Sequence, residues 1–271
     1  MITQYENYQR DGYLIIEDFI SDDMCDRLIK QANQLIEKFE PRKSRAIFST
    51  KHHELTKQQY FLDSGDNIHF FFEEDAFDDK KNLRKEKKFC INKIGHALHK
   101  HDNIFADFSR SSMITDMLKN ISITDPRIMQ SMYICKQANF GGEVTCHQDS
   151  TFLYVNGQPI TGLWFALEDA TIENGCLWAI PGGHHGTLKS RMIRKNNNEI
   201  VTDTYDPSPW DLTKMIPLEV KRGSMIVIHG LLPHMSKENI STRSRHAYTL
   251  HVMSSKDEFA KDNWLQQDVL V

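Results

Sequence analysis

The chain has 271 residues, 39 % hydrophobic and 26 % charged, the balance of an ordinary globular protein rather than a disordered or fibrous one. Its formal net charge of -4 offers no broad positive field to a nucleic-acid backbone, and no apolar run approaches the roughly 20 residues that cross a bilayer. The five cysteines, Cys25, Cys90, Cys135, Cys146 and Cys176, are scattered and never form a C-x-x-C pair, which points to reduced thiols rather than a disulfide framework or a thiolate zinc site.

No linker-like tract separates two cores, so one domain over residues 1–271 is expected, with a mainly helical flank at 1–125 and a β-core at 126–255. Met1 to Arg10 is polar rather than signal-like, and Asp268-Val269-Leu270-Val271 carries no peroxisomal address, so a cytoplasmic location is expected. Tyr13 to Ile16 is a short β-branched and aromatic run. Ser21 then precedes Met24, Leu28, Ala32, Leu35, Ile36 and Phe39, whose spacing predicts an amphipathic helix capped by the Ser21 hydroxyl and ended by Pro41. Glu73 to Lys88 mixes acids with lysines and reads as a solvated loop or exposed helix face. Ile91 to Leu98 and Ile114 to Ile121 have helical apolar spacing.

Downstream the texture changes to short strand-like runs: Ile128 to Lys136, Glu143 to Gln148, Ile160 to Leu167, Cys176 to Ile180, Met225 to His229 and His246 to Val252. Gly141-Gly142, Asn156-Gly157, Asn174-Gly175 and Pro181-Gly182-Gly183 punctuate them. Helices first and many short strands later predict an α+β protein built on a β-barrel or sandwich.

The chemistry concentrates in His147-Gln148-Asp149. On a strand, residues i and i+2 leave the same face, so His147 and Asp149 aim at one point while Gln148 faces away. Two histidines and one carboxylate suit a non-haem Fe(II) oxygenase, because they leave coordination positions open. The plainer reading of His147 and Asp149 is a hydrogen-bonded pair, and the motif needs a distant imidazole. His229 and His234 both follow the apolar run Met225 to Ile228, and spacing does not choose between them. Arg245 has the geometry to hold a carboxylate of a cosubstrate; the competing reading is an exposed arginine in the polar connection Ser241 to Arg245, and Arg243 is its rival by register.

His147-Gln148-Asp149, the block Asn174 to His184, and His234 with Arg245 downstream resemble the phytanoyl-CoA dioxygenase family. Further blocks at 11–19, 61–73, 91–102, 130–134 and 168–178 extend the likeness over nearly the whole chain. The resemblance implies a double-stranded β-helix (jelly-roll or cupin-like) core with flanking helices, and Fe(II), 2-oxoglutarate and O2 as cofactor and cosubstrates. It implies His147, Asp149 and His234 as metal ligands and catalytic centre. It further implies that Arg245 and Ser236 hold the distal carboxylate of 2-oxoglutarate, with Lys93, Met132 and Trp164 lining its pocket. Without it, Lys93 reads as a solvated helix lysine, Met132 and Trp164 as core, and Ser236 as a loop hydroxyl. Gly183 and Cys146 depart from the family's more usual Ser and Pro, and neither departure removes a ligand.

The expected activity is therefore hydroxylation of a small organic or acyl-type substrate, with formation of succinate and CO2. Halogenating relatives have a small residue where Asp149 stands, so halogen transfer is disfavoured. The rival is a catalytically unproductive barrel that binds metal and 2-oxoglutarate and acts as a sensor or interaction protein. A zinc hydrolase is a third reading, weakened by the lack of H-E-x-x-H. The expected partner is a small molecule, neither nucleic acid nor membrane, and a monomer is compatible with the sequence. His184-His185 after the glycine turn reads as structural.

Overall fold

The computed structural model describes residues 4–41, 46–48 and 58–266. The part of the chain up to Asn120 supplies the α-helices: α1 (Gln4–Asp11), α2 (Asp22–Lys38), α3 (Gln58–Asp63), α4 (Lys87–Cys90), α5 (Leu98–His101), α6 (Asn103–Ser109) and α7 (Ser112–Asn120). It also supplies three strands, β1 (Tyr13–Ile16), β2 (Ile68–Phe72) and β3 (Ile91–His96).

Helix α2 forms as its sequence dictates. Ser21 Oγ accepts the Met24 N–H at 3.3 Å, Asp22 and Asp23 sit in the first turn, and Lys38 in the last. Cys25, Leu28, Ala32 and Ile36 make the buried stripe. The helix ends at Lys38, with Phe39 already extended ahead of Pro41.

Ile91–His96 is a strand, not the helix that its apolar spacing suggests. It lies between β2 and β4 (Pro126–Ile134) with both faces covered. Every one of its residues is buried, so the polar alternation that betrays a half-exposed strand is absent. The Ile114 to Ile121 periodicity, by contrast, is the α7 helix. The Glu73 to Lys88 stretch is largely exposed, yet Glu73 itself is buried and accepts the Gly142 N–H at 3.1 Å.

The remaining strands are β5 (Val144–His147), β6 (Val155–Asn156), β7 (Thr161–Ala166), β8 (Leu177–Ala179), β9 (Ser190–Arg194), β10 (Ile200–Thr204), β11 (Ile216–Leu218), β12 (Met225–His229), β13 (His234–Ser236), β14 (Ala247–Ser254) and β15 (Glu258–Phe259). Together with β1 to β4 they build a seven-stranded sheet in the order β1-β12-β7-β14-β4-β3-β2, a four-stranded sheet in the order β11-β8-β13-β5, and two separate pairs, β10-β9 and β15-β6. Neighbouring strands in the two larger sheets run antiparallel.

The period-2 pattern of the large sheet divides its residues between two cores. Leu163, Phe165, Met225, Val227, Tyr248, Leu250 and Val252 pack with the helices, including Leu28 of α2 and Phe105 of α6. Trp164, Ala166, Ile226, Ile228 and Ala247 face the other way, onto Leu177 and Ala179 of β8 and Leu218 of β11. The two sheets therefore meet through an apolar layer, with helices on the outer face of the larger one.

Candidate metal centre

The smaller sheet brings His147 and His234 together. They are direct partners across the antiparallel β5–β13 pair, which puts their side chains side by side on one face. Their ring centroids lie 4.3 Å apart. The His147 Nδ1–H reaches back to the Thr145 carbonyl at 2.8 Å, and the His234 Nδ1–H reaches back to Leu232 at 2.9 Å. Both rings thus take the same tautomer and present an Nε2 lone pair.

Asp149 completes the group, though not from the strand. β5 stops at His147, Gln148 is extended, and Asp149 is the first residue of a 3-10 turn, Asp149–Thr151. The extended Gln148 preserves enough of the alternation to bring Asp149 Oδ1 to 3.6 Å from the Nε2 atoms of both His147 and His234. All three potential ligand atoms lie within 4.8 Å of one another. Two imidazoles and one carboxylate on one side of a common point fit a divalent iron with open positions.

Protonation suits that task. Burial pushes the His234 imidazole down to about 4, which outweighs the pull of the Asp149 carboxylate and keeps the ring neutral. Burial would raise the Asp149 carboxyl, but His234, His251 and His147 around it hold it well below the ordinary carboxylate range. Neutral imidazole and ionised carboxylate are the forms that bind a metal.

Gln148, between the two, is covered by neighbouring connections. It is 1 % exposed, and its amide donates to Thr187 O at 3.2 Å and Leu231 O at 2.9 Å while its carbonyl accepts the Lys189 N–H at 3.0 Å. It ties the Asp149 turn to the connection that leads into β13.

Of the rival imidazoles, His234 joins the group and His229 does not. The His229 ring packs beside Tyr8 and His184, and its Nδ1 accepts the Leu231 N–H at 3.2 Å. His184 Nε2 meets Gln9 O at 3.0 Å, which ties the glycine turn to α1. Arg245 is 1 % exposed and Arg243 is exposed. Arg245 lies just ahead of β14 rather than on a strand. Its Nε donates to Gly175 O at 3.1 Å and its guanidinium carbon sits 5.3 Å from the Trp164 ring centroid. Arg245 Nη1 and Trp164 Nε1 are both buried donors without a partner among the described residues. Such unspent donors suit a buried carboxylate ligand.

Met132, Thr249 and Trp164 form one cross-strand row of the large sheet, on the face toward the smaller one. Lys93 is no solvated helix lysine: it is 6 % exposed on β3, with Nζ 3.9 Å from Met132 Sδ and 3.9 Å from the Phe48 ring centroid. Burial moves its ammonium from 10.5 down to about 7. Ser236 is buried on β13, two residues beyond His234.

One neighbour of the site escaped the sequence reading. His251 on β14 places Nε2 3.3 Å from Asp149 Oδ2. Among thirteen histidines, its only signal is its place in an alternating strand whose other face is Tyr248, Leu250 and Val252.

The chain matches the family described as "Phytanoyl-CoA dioxygenase (PhyH)" over residues 8–247. It is 46 % identical over 265 residues to "Phytanoyl-CoA dioxygenase" of Arabidopsis thaliana, covering 97 % of this chain and 93 % of that one. It is 41 % identical over 275 residues to "Phytanoyl-CoA dioxygenase domain-containing protein 1" of Rattus norvegicus, covering 97 % and 94 %. Among solved structures, "EctD from S. alaskensis with 2-oxoglutarate and 5-hydroxyectoine" superposes with a TM-score of 0.64 at 19 % identity, over 95 % of this chain and 77 % of that one. The "non-heme alpha ketoglutarate dependent carbocyclase SnoK" gives 0.64 at 16 % identity, over 96 % and 86 %. At these identities the structural likeness concerns the fold.

Proposed function

The chain belongs to the phytanoyl-CoA dioxygenase family, and from that premise we propose that it is an Fe(II)- and 2-oxoglutarate-dependent dioxygenase that hydroxylates a small organic or acyl-type substrate. The reading includes a single domain with a double-stranded β-helix core and a cytoplasmic location; among the described residues no helix is long and apolar enough to cross a membrane. The observation that carries it is the convergence of His147, Asp149 and His234 within 4.8 Å of one another. The proteins with similar folds include one solved with 2-oxoglutarate and one described as alpha-ketoglutarate dependent, which supports the cosubstrate.

The chemistry supplied by iron with 2-oxoglutarate and O2 is oxidative decarboxylation to succinate and CO2, coupled to insertion of one oxygen atom into a substrate C–H bond. The protein's own contributions are positional. His147 and His234, oriented by their backbone carbonyls, and the ionised Asp149 hold the metal from one side. Arg245 spends its free Nη1 donor on the distal carboxylate of the keto acid, with Ser236 beside it and Lys93, Met132 and Trp164 along the pocket. The apolar layer between the sheets includes Trp164 and makes that side of the pocket apolar. Asp149 fills the position that a halide needs, which favours hydroxylation.

Purified protein supplied with Fe(II), 2-oxoglutarate and O2 is expected to form succinate, and Asp149→Ala to form none while its circular dichroism is unchanged. Equal succinate formation by both proteins would overturn the proposal. Comparing metabolite extracts incubated with wild type and Asp149→Ala, by mass spectrometry, should reveal a product one oxygen heavier with wild type alone. A protein that binds 2-oxoglutarate but yields neither succinate nor such a product is instead a binding barrel.

A further inference from the structure

We propose that a notch in the large sheet, floored by Gly162 and walled by His251, holds Asp149 so that it presents one oxygen to the metal and keeps the other engaged with the protein. The inference rests on the metal-site reading above and concerns two residues that touch the carboxylate from the opposite layer.

The two imidazoles of the centre belong to the small sheet, whereas the carboxylate leans onto the large one. Gly162 of β7 is the cross-strand partner of His251 of β14 on one side and of Ile228 of β12 on the other. Gln130 of β4 continues the row beyond His251. A Cβ on Gly162 would come to 3.0 Å from Asp149 Oδ2, 3.6 Å from Ile228 Cβ and 3.8 Å from His251 Cδ2. The carboxylate therefore crowds this strand position, and a side chain here would press it out of place. Gly162 has no positive φ to explain it, so close approach is the physical reason for glycine here.

His251 closes the notch from the next strand. Its Nε2 is 3.3 Å from Asp149 Oδ2, while Oδ1 is the atom that stands 3.6 Å from both His147 and His234 Nε2. The oxygens are thus divided between two directions, one toward the imidazole pair and one toward His251. His251 is 6 % exposed, so water does not compete freely for the contact. An aspartate able to rotate would offer both oxygens to one ion and consume a position that cosubstrates need. His251 is thereby a positioning residue, acting through Asp149.

Metal binding by the isolated protein tests this without any turnover. Co(II) reports its coordination through visible absorption, and its affinity is measured by calorimetry. Relative to wild type, His251→Leu is expected to weaken Co(II) binding by about 10- to 100-fold, as loss of a partner behind a metal ligand does, and to change the absorption envelope. His251→Gln, which can return an N–H to the same oxygen, should recover most of both. Gly162→Ala probes the notch from the adjacent strand and should shift the same spectrum. Melting of the metal-free proteins identifies any variant that fails to fold, and the remaining variants then decide. Wild-type affinity and spectrum in every folded variant, or identical behaviour of His251→Leu and His251→Gln, overturns the notch while leaving the metal site standing. A wild-type protein that binds no Co(II) overturns both.

Discussion

Lys93 shows how a single buried charge prepares a site at a cost to the fold. Burial brings its ammonium from 10.5 to about 7, while the Phe48 and Phe71 rings, with centroids 3.9 and 5.2 Å from Nζ, favour the charged form and offset part of that penalty. The unfolded chain keeps this proton up to the ordinary lysine value, whereas the folded protein releases it near 7. Between those limits the unfolded state binds more protons, so Lys93 makes stability rise with pH from about 7 to 10.5. Below that window both states are protonated and the penalty is present in full. Lys93→Met is expected to raise the urea midpoint of the ligand-free protein at neutral pH and to flatten the rise above it. A variant with the wild-type pH slope would show that the lysine carries no such strain.

Gln148 connects elements rather than charges. Its buried amide makes three hydrogen bonds to backbone groups of the connections that flank the site. Gln148→Leu leaves those groups unpaired and is expected to cost roughly 2–4 kcal/mol in urea unfolding. It should also speed hydrogen exchange at the Lys189 amide, the one donor that bonds its side-chain carbonyl. An effect no larger than that of an exposed substitution would refute the role. At the same scale, Ser21→Ala should cost about 1 kcal/mol through the lost cap of α2.

The elements also show where the sequence could be read. Strands such as Met225–His229 announce themselves, because β-branched residues fill an internal strand of an antiparallel sheet. The strand Ile91–His96 does not, since burial on both faces erases alternation and leaves a spacing that a helix also satisfies. His147 and Asp149 could be paired from their i, i+2 separation, even though the turn after His147 rather than a strand delivers the acid. Choosing His234 over His229 required the family resemblance, because the selection depends on β13 lying beside β5, a long-range pairing that no local pattern encodes. For Gln148, alternation likewise says which way the side chain leaves its strand, not which connections cover it.

At the scale of the whole molecule, all five cysteines are free, so the melting temperature should not change when a reductant is added. A drop under dithiothreitol would reveal a cross-link that these side chains do not make here. The divalent ion should have the opposite importance. Fe(II) under argon at one hundred times its dissociation constant should stabilise the fold by about 2.7 kcal/mol through mass action. The gain should disappear with a chelator and be absent in Asp149→Ala. An equal rise in that variant would locate the bound ion elsewhere.

The three side chains spring from the smaller sheet and the turn that continues it, while the Asp149 carboxylate rests against the larger sheet. An ion at their meeting point consequently cross-links β5, the Asp149 turn and β13, tightened by ligation and slack without it. Protease digestion should then cut the empty protein sooner than the filled one, so that a cell short of iron would lose the polypeptide itself along with its chemistry.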